Sequence, residues 1–382
     1  MEELNISIIK LNEKISLDNK RNYGIDLLRI FSMINVIILH INLCLDINNL
    51  KSDNEKFKII WRLESLSLFA VDCYGLISGI VGYKKYKFSN LIYIWFNSSF
   101  YSFCFFLYTC FFNKINLRNM IISFFPIITN NNWYITAYFN LYLFIPFLNF
   151  GINNFNKNKY KNIIFFYILF FSFYNIIGHI LNFNTNNFNF LNNGYSAQWL
   201  IVLYIIGGYL GKYVIINKRN INLKYFIFYL FTYLISGFLS SELYFHLIKI
   251  NSQINRKTFL IDYLSPTIII EALSLIMIFS KLSINNKFLI KFISFFTPLN
   301  LNITLIHLRL FYEGVIKFGW VNIFNKNFTF IIIYLNGIIV YISCGLIDYL
   351  RSILFKFLKI RQFCLFIEDK IPKLIEKLLI YF

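Results

Sequence analysis

Ten stretches of this 382-residue chain stay apolar for about twenty residues at a time, long enough as helices to cross the roughly 30 Å hydrocarbon core of a bilayer. No soluble core absorbs so many. With 58% hydrophobic and only 14% charged residues, the segments between the stretches are too short to form a separate globule. The expected fold is therefore all-α: a polytopic membrane bundle with spans near 27–46, 59–82, 91–112, 133–150, 162–181, 197–216, 225–245, 263–281, 289–312 and 328–350. Residues 1–22 read as an N-terminal tail, 23–355 as the membrane domain, and 356–382 as an amphipathic C-terminal tail in which Pro372 opens a new helix.

The net charge of +19 is not a nucleic-acid signal, because Lys, Asn, Ile, Phe and Tyr are abundant together, as A/T-rich codons specify. Its distribution is more informative. About two thirds of the 37 Lys and Arg residues fall in alternate loops and in the two tails, and such an excess marks the cytoplasmic side. Both termini are thus expected in the cytoplasm of a multi-pass protein of the cell membrane. The first span would serve as the uncleaved insertion signal. The six cysteines show no ligand spacing, so neither a metal site nor a disulfide is expected. The spans show no clear repeat and no paired broken helices of the kind that mark a transporter's midplane site. The Asn-rich segment 182–193 reads as an ordinary outer loop.

Polar groups inside the spans carry the functional signal. Arg29 and His40 lie in the first span, DLLRIFSMINVIILHINLCL. Eleven positions bring both to one helix face, roughly 16 Å apart along the axis. Each ionisable group costs about 2.5 to 3.5 kcal/mol to insert, which function usually explains. Measured from the outer membrane surface, His40, Glu64 and His307 fall at one level, where an imidazole can take a hydroxyl proton and a carboxylate can orient it. Arg29, with Asp26 one turn before it, lies nearer the cytoplasm with Asp72, Ser78, Gly79 and the basic group Lys84, Lys85 and Lys87. Guanidinium and ammonium groups at that level suit a phosphate-bearing ligand. Trp133 and Tyr134 read first as interfacial anchors and only secondarily as lining residues. Arg309, His179, His246, Glu242 and Glu271 are secondary candidates, those near span ends reaching interfacial water.

These residues carry a resemblance. RNYGIDLLRIFSMINVIILH resembles the opening motif of the acyltransferase 3 family of integral-membrane O-acyltransferases, and supplies its Arg (Arg29) and His (His40). AVDCYGLISGIVGY is similar to the family's Val-Asp-x-Phe-Phe-x-x-Ser-Gly element, NNWYITAYFNLYLFIPFLN to its Trp-Tyr helix, and TLIHLRL to its late Leu-Ile-His element. Tyr74 and Gly75 stand where paired Phe is common, and Thr304 where Tyr is common. The resemblance implies transfer of an acyl group, usually acetyl, from coenzyme A to a hydroxyl of a cell-surface polysaccharide or lipid-linked saccharide. It implies His40 as the catalytic base, with Glu64 as its orienter on geometric grounds. Arg29, Asp72, Ser78, Gly79 and the three lysines would bind the donor. The partners expected are acyl-CoA, a glycan acceptor and membrane lipid, without nucleic acid or metal. A glycan or lipid transporter without covalent chemistry is the alternative, in which the same polar groups line a path.

Overall fold

The computed structural model describes residues 21–44, 55–111, 116–180, 191–215, 221–250, 260–310 and 330–380. Among them the chain forms helices and no strand. In chain order these are α1 (Tyr23–Cys44), α2 (Glu55–Ser65), α3 (Phe69–Gly82), α4 (Phe88–Cys110), α5 (Leu117–Phe124) and α6 (Trp133–Asn154). Next come α7 (Lys157–Ile168), joined by a π-helical turn to α8 (Tyr174–Ile180), then α9 (Ala197–Tyr209) and α10 (Leu223–Lys249). The last are α11 (Pro266–Phe279), α12 (Lys287–Phe296), α13 (Asn300–Leu310), α14 (Phe330–Phe357) and α15 (Ile360–Ile380). Nine helical segments of the described residues are long and apolar enough to cross a membrane, and α11 is a shorter apolar helix at the position of the eighth expected span.

The first span forms the centre of the bundle. Leu28, Ile37 and Ile38 are fully buried, and α1 touches α2, α3, α11, α12, α13 and α14. Asn22 starts it: its side-chain oxygen accepts from the Gly24 and Ile25 amides, and its amide group donates to the Ser280 carbonyl at the end of α11. Asp26 then places a negative charge at the positive end of the helix. Large apolar side chains cover the rim, among them Phe147, Phe165, Phe166, Phe231, Ile331 and Leu350, each more than 60% exposed. A surface this apolar is stable against lipid, not water.

α3 and α9 pack backbone against backbone, and glycines permit it. A Cβ on Gly79 would lie 2.1 Å from the Tyr204 carbonyl oxygen, and one on Gly207 would lie 2.0 Å from that of Leu76. Small residues at such spacing let backbones touch where no hydrophobic force drives helices together. Gly207→Leu is therefore expected to abolish accumulation of monodisperse protein, read by fluorescence-detected size exclusion. An unchanged profile would refute the tight pairing.

Two spans that run end to end as expected, Glu55–Gly82 and Lys287–Leu308, each contain a local interruption of the α-helix. The second span is interrupted at 66–68, between α2 and α3. There Ser67 and Leu68 amides both donate to the Glu64 carbonyl, while Tyr233 donates to the freed Leu66 carbonyl at 2.8 Å. The ninth is interrupted by the 3₁₀ turn Thr297–Leu299, because Pro298 has no amide hydrogen to donate. Side-chain bonds tie both interruptions to neighbouring helices: Ser67 donates to Asn35, and Tyr341 to Asn300. The eighth expected span is short for a similar reason. Residues 261–265 before α11 are non-helical and buried, with Asn175 and Ser265 donating to the Asp262 carboxylate.

The C-terminal boundary also moves. Arg351, one residue past the expected end of the last span, lies within α14 and is 5% exposed. Its Nε donates to Asp348 Oδ1 at 2.6 Å and its Nη1 to Asn97 at 2.9 Å. Tyr101 and Asn302 complete the Asp348 shell, so this one cluster ties α4, α13 and α14. Lys359, at φ 54°, turns the chain into α15, which runs through Pro372 as one helix instead of restarting there. α15 packs on α4 through Arg361, which donates to Asn90 and lies over the Tyr93 ring.

Candidate active site

A single cavity of about 440 Å³ runs alongside α1 and is lined by both Arg29 and His40. The helix face expected from the sequence is the one exposed to it: Arg29, Met33, Val36, His40 and Leu43 recur every three or four residues. α3 contributes Val71, Tyr74, Ile77 and Ser78. Both broken spans open onto the cavity, through Glu64 and Leu68 on one side and Thr297, Asn300 and Thr304 on the other.

At one end stands a histidine pair. His307 Nδ1 is 2.7 Å from the Ile303 carbonyl, and His40 Nδ1 is 2.8 Å from that of Val36. A carbonyl only accepts, so in both neutral rings Nδ1 carries the hydrogen. His307 Nε2 then holds a lone pair, and it lies 3.2 Å from His40 Nδ1, whose hydrogen it shares with Val36. The rings meet edge to face at 5.0 Å. This assignment leaves His40 Nε2 as the free lone pair, without a hydrogen bond among the described residues, on a ring that lines the cavity. His307 itself is fully buried behind it.

Glu64 lines the same cavity but does not hold His40. Its Oε2 accepts from Asn42 at 3.0 Å, so the group fixing the imidazole is His307 with the Val36 carbonyl. The helix break beside Glu64 turns its side chain toward Asn42, two residues beyond His40. At the other end Arg29 donates to Asp26 at 2.9 Å, and Asp26 also pairs with Arg21. One carboxylate thus serves two guanidinium groups, leaving net positive charge at this end. Arg29 keeps a quarter of its side chain exposed, at the cavity wall.

Several expected donor residues lie elsewhere. Asp72 is fully buried and accepts from Trp199 Nε1 at 3.0 Å, and Gly79 is pressed on Tyr204. The reason is helical phase: residues 72, 75, 79 and 82 share the stripe facing α9, whereas 71, 74 and 78 face the cavity. Ser78 is at the wall, its hydroxyl donating to the Tyr74 carbonyl. Lys84, Lys85 and Lys87 are exposed between α3 and α4, away from the cavity lining, with Lys84 over the Tyr83 ring. Glu271, placed among the secondary candidates, is fully buried beside Gly237. Arg309 belongs to α13, but its side chain is outside the described residues, as is that of His179.

Aromatic residues supply what the sequence underrated. Trp133 and Tyr134 line the cavity instead of serving as outward anchors, and Tyr74, Tyr138, Tyr195 and Tyr263 join them. Trp133, Tyr195 and Tyr263 form one cluster, with centroids 4.7, 4.9 and 6.0 Å apart. Tyr74 and Thr304, two departures from the motif pattern, are both wall residues. Such side chains gave no signal because aromatics make up 21% of the chain.

The arrangement offers a free imidazole base at one end of a partly open cavity and a cationic anchor at the other. Comparison with curated proteins and with solved structures gives no match. Comparison with protein families does: the acyltransferase domain model of the acyltransferase 3 family matches residues 22–348, which include every residue of the cavity wall. The chain is a multi-pass membrane acyltransferase belonging to the acyltransferase 3 family.

Proposed function

We propose that this protein transfers an acetyl group from coenzyme A to a hydroxyl of a cell-surface polysaccharide or lipid-linked saccharide, in the cell membrane, with both termini cytoplasmic. The single observation that supports it best is that Arg29 and His40 line one continuous cavity. The donor's phosphates engage Arg29 from the cytoplasmic end, and its thioester extends along the passage to His40. His40 Nε2 removes the acceptor hydroxyl's proton as that oxygen attacks the thioester carbonyl. The tetrahedral intermediate then collapses, the C–S bond breaks, and the imidazolium returns the proton to the departing thiolate. The products are the O-acetyl ester and free coenzyme A. His307 Nε2 accepts from His40 Nδ1 throughout, which holds the ring in one tautomer and steadies the imidazolium.

The test is thiol release from acetyl-CoA by the protein in nanodiscs with an envelope glycan extract, paired with transfer of radiolabelled acetyl to glycan. Arg29→Gln is expected to raise the donor KM by about ten- to a hundredfold, the worth of a charge-assisted hydrogen bond, with the acceptor KM unchanged. An unaltered donor KM would remove Arg29 from the donor site. A transport reading is favoured by one observation, the two broken spans that meet at the cavity. It requires substrate movement with no thiol released.

A further inference from the structure

The Trp133, Tyr195 and Tyr263 cluster has no part in the chemistry above. Its three members precede or open helices α6, α9 and α11, so all stand at the same end of the bundle. That end is the His40 end. Glu64, which is bonded to Asn42 just beyond His40, lies close enough to act electrostatically on both tyrosine hydroxyls. Tyr195 and Tyr263 both line the cavity, Tyr195 being 43% exposed and Tyr263 only 5%.

The backbone beneath Tyr195 is unusual. Asn192, Asn193 and Gly194 have successive φ values of 44, 53 and 90°, a left-handed run that side chains rarely adopt. A Cβ on Gly194 would lie 2.4 Å from the Tyr263 Cβ, so the turn is packed hard on the second ring. Ser196 follows at once and caps α9 by accepting from the Trp199 amide. Tyr195 is therefore held between a fixed turn and a helix cap, with its ring against Trp133 and Tyr263.

We infer that this cluster is the acceptor shelf, on which a pyranose ring of the saccharide stacks on the Tyr195 face, with Trp133 set at 60° to it as a side wall, to present one hydroxyl to His40 Nε2. The inference rests on the acyl-transfer reading for the purpose of the shelf, not for its existence. Three observations favour a sugar ring over an acyl chain. Tyr195 and Tyr263 lie outside the helical segments long and apolar enough to cross a membrane, and Tyr195 is 43% exposed. Hydrogen-bonding groups border the aromatic faces: the second oxygen of Glu64 and the amide hydrogens of Asn132 have no partner among the described residues, and both residues line the cavity. A rigid aromatic corner, Tyr195 and Trp133 meeting at 60°, paired with a carboxylate and an amide matches a ring having an apolar C–H face and polar edges, whereas a flexible chain needs neither.

Saturation-transfer NMR tests it, with a panel of methyl pyranosides as probes against protein in nanodiscs, and sorbitol and hexanoate as the ringless and acyl-chain comparisons. Wild type is expected to transfer saturation to the axial C–H face of one or more pyranosides and not to sorbitol. Tyr195→Ala is expected to lose that signal, and Tyr195→Phe to keep it. No pyranoside signal in wild type, an equal signal in Tyr195→Ala, or a stronger signal on hexanoate would each overturn the shelf. Thiol release reads the other proposal separately: Tyr195→Ala should raise the acceptor KM about two- to tenfold while the donor KM holds. Ring binding without thiol release would sink acyl transfer and leave the shelf standing.

Discussion

A folded and membrane-inserted His40→Gln protein is expected to lose acyl transfer by about 10²- to 10⁴-fold, the usual contribution of a positioned general base. Glutamine fills similar space and can still donate to the Val36 carbonyl, so the loss reads chemistry and not packing. The geometry behind it is the chain of donors from His40 Nδ1 to His307 Nε2 and from His307 Nδ1 to the Ile303 carbonyl. His307→Leu breaks the orienting link and leaves the His40 ring in place, and one neutral hydrogen bond is worth about 0.5 to 1.5 kcal/mol, or roughly two- to tenfold in turnover. The two variants should therefore differ by at least an order of magnitude in thiol release at saturating donor. Normal turnover in His40→Gln would end the mechanism, and an equal loss in both would make the pair a unit in which neither ring is solely the base.

Arg351→Ala is expected to destabilise the bundle by about 3 to 5 kcal/mol, the cost of stranding a buried charge. The guanidinium and the Asp348 carboxylate are almost wholly buried, 4% and 0% exposed, and Asp348 also gathers Tyr101 and Asn302. Removing the arginine leaves a carboxylate among apolar helices with two neutral donors for company. The double variant Asp348→Leu with Arg351→Met is expected to recover much of the loss, because neither charge is then orphaned. Thermal unfolding in detergent, followed by tryptophan fluorescence, measures both. Neither residue lines the cavity, so kcat of the surviving folded fraction should be that of wild type. A single variant as stable as the parent would show that this cluster does not hold α4, α13 and α14 together.

Helix breaks show where sequence patterns mislead. Pro298 was visible, yet the expected span ran straight through it, since apolar composition continues on both sides. The break near Leu66 has no Pro or Gly at all. It exists because Tyr233 from α10 satisfies the Leu66 carbonyl, a partner 167 positions away. Glu64 illustrates the same limit: its depth along the helix was legible, and it does line the cavity with His40. Which residue it bonds depended on the turn that follows it.

Apolar run length and the 3.6-residue repeat were enough to give the all-helical membrane bundle and to put Arg29 and His40 on one face, because both are properties of a single helix in lipid. The motif elements were equally local, and the family match over residues 22–348 agrees with them. Tertiary structure alone decided which stripe of α3 meets the cavity and which meets α9, and so separated Ser78 from Asp72 and Gly79. It also decided that His307, 267 positions away, and not Glu64, orients His40. A sequence fixes which residues share a helix face, but the partner that face meets is set by how distant helices pack, and that information is held only in their contacts.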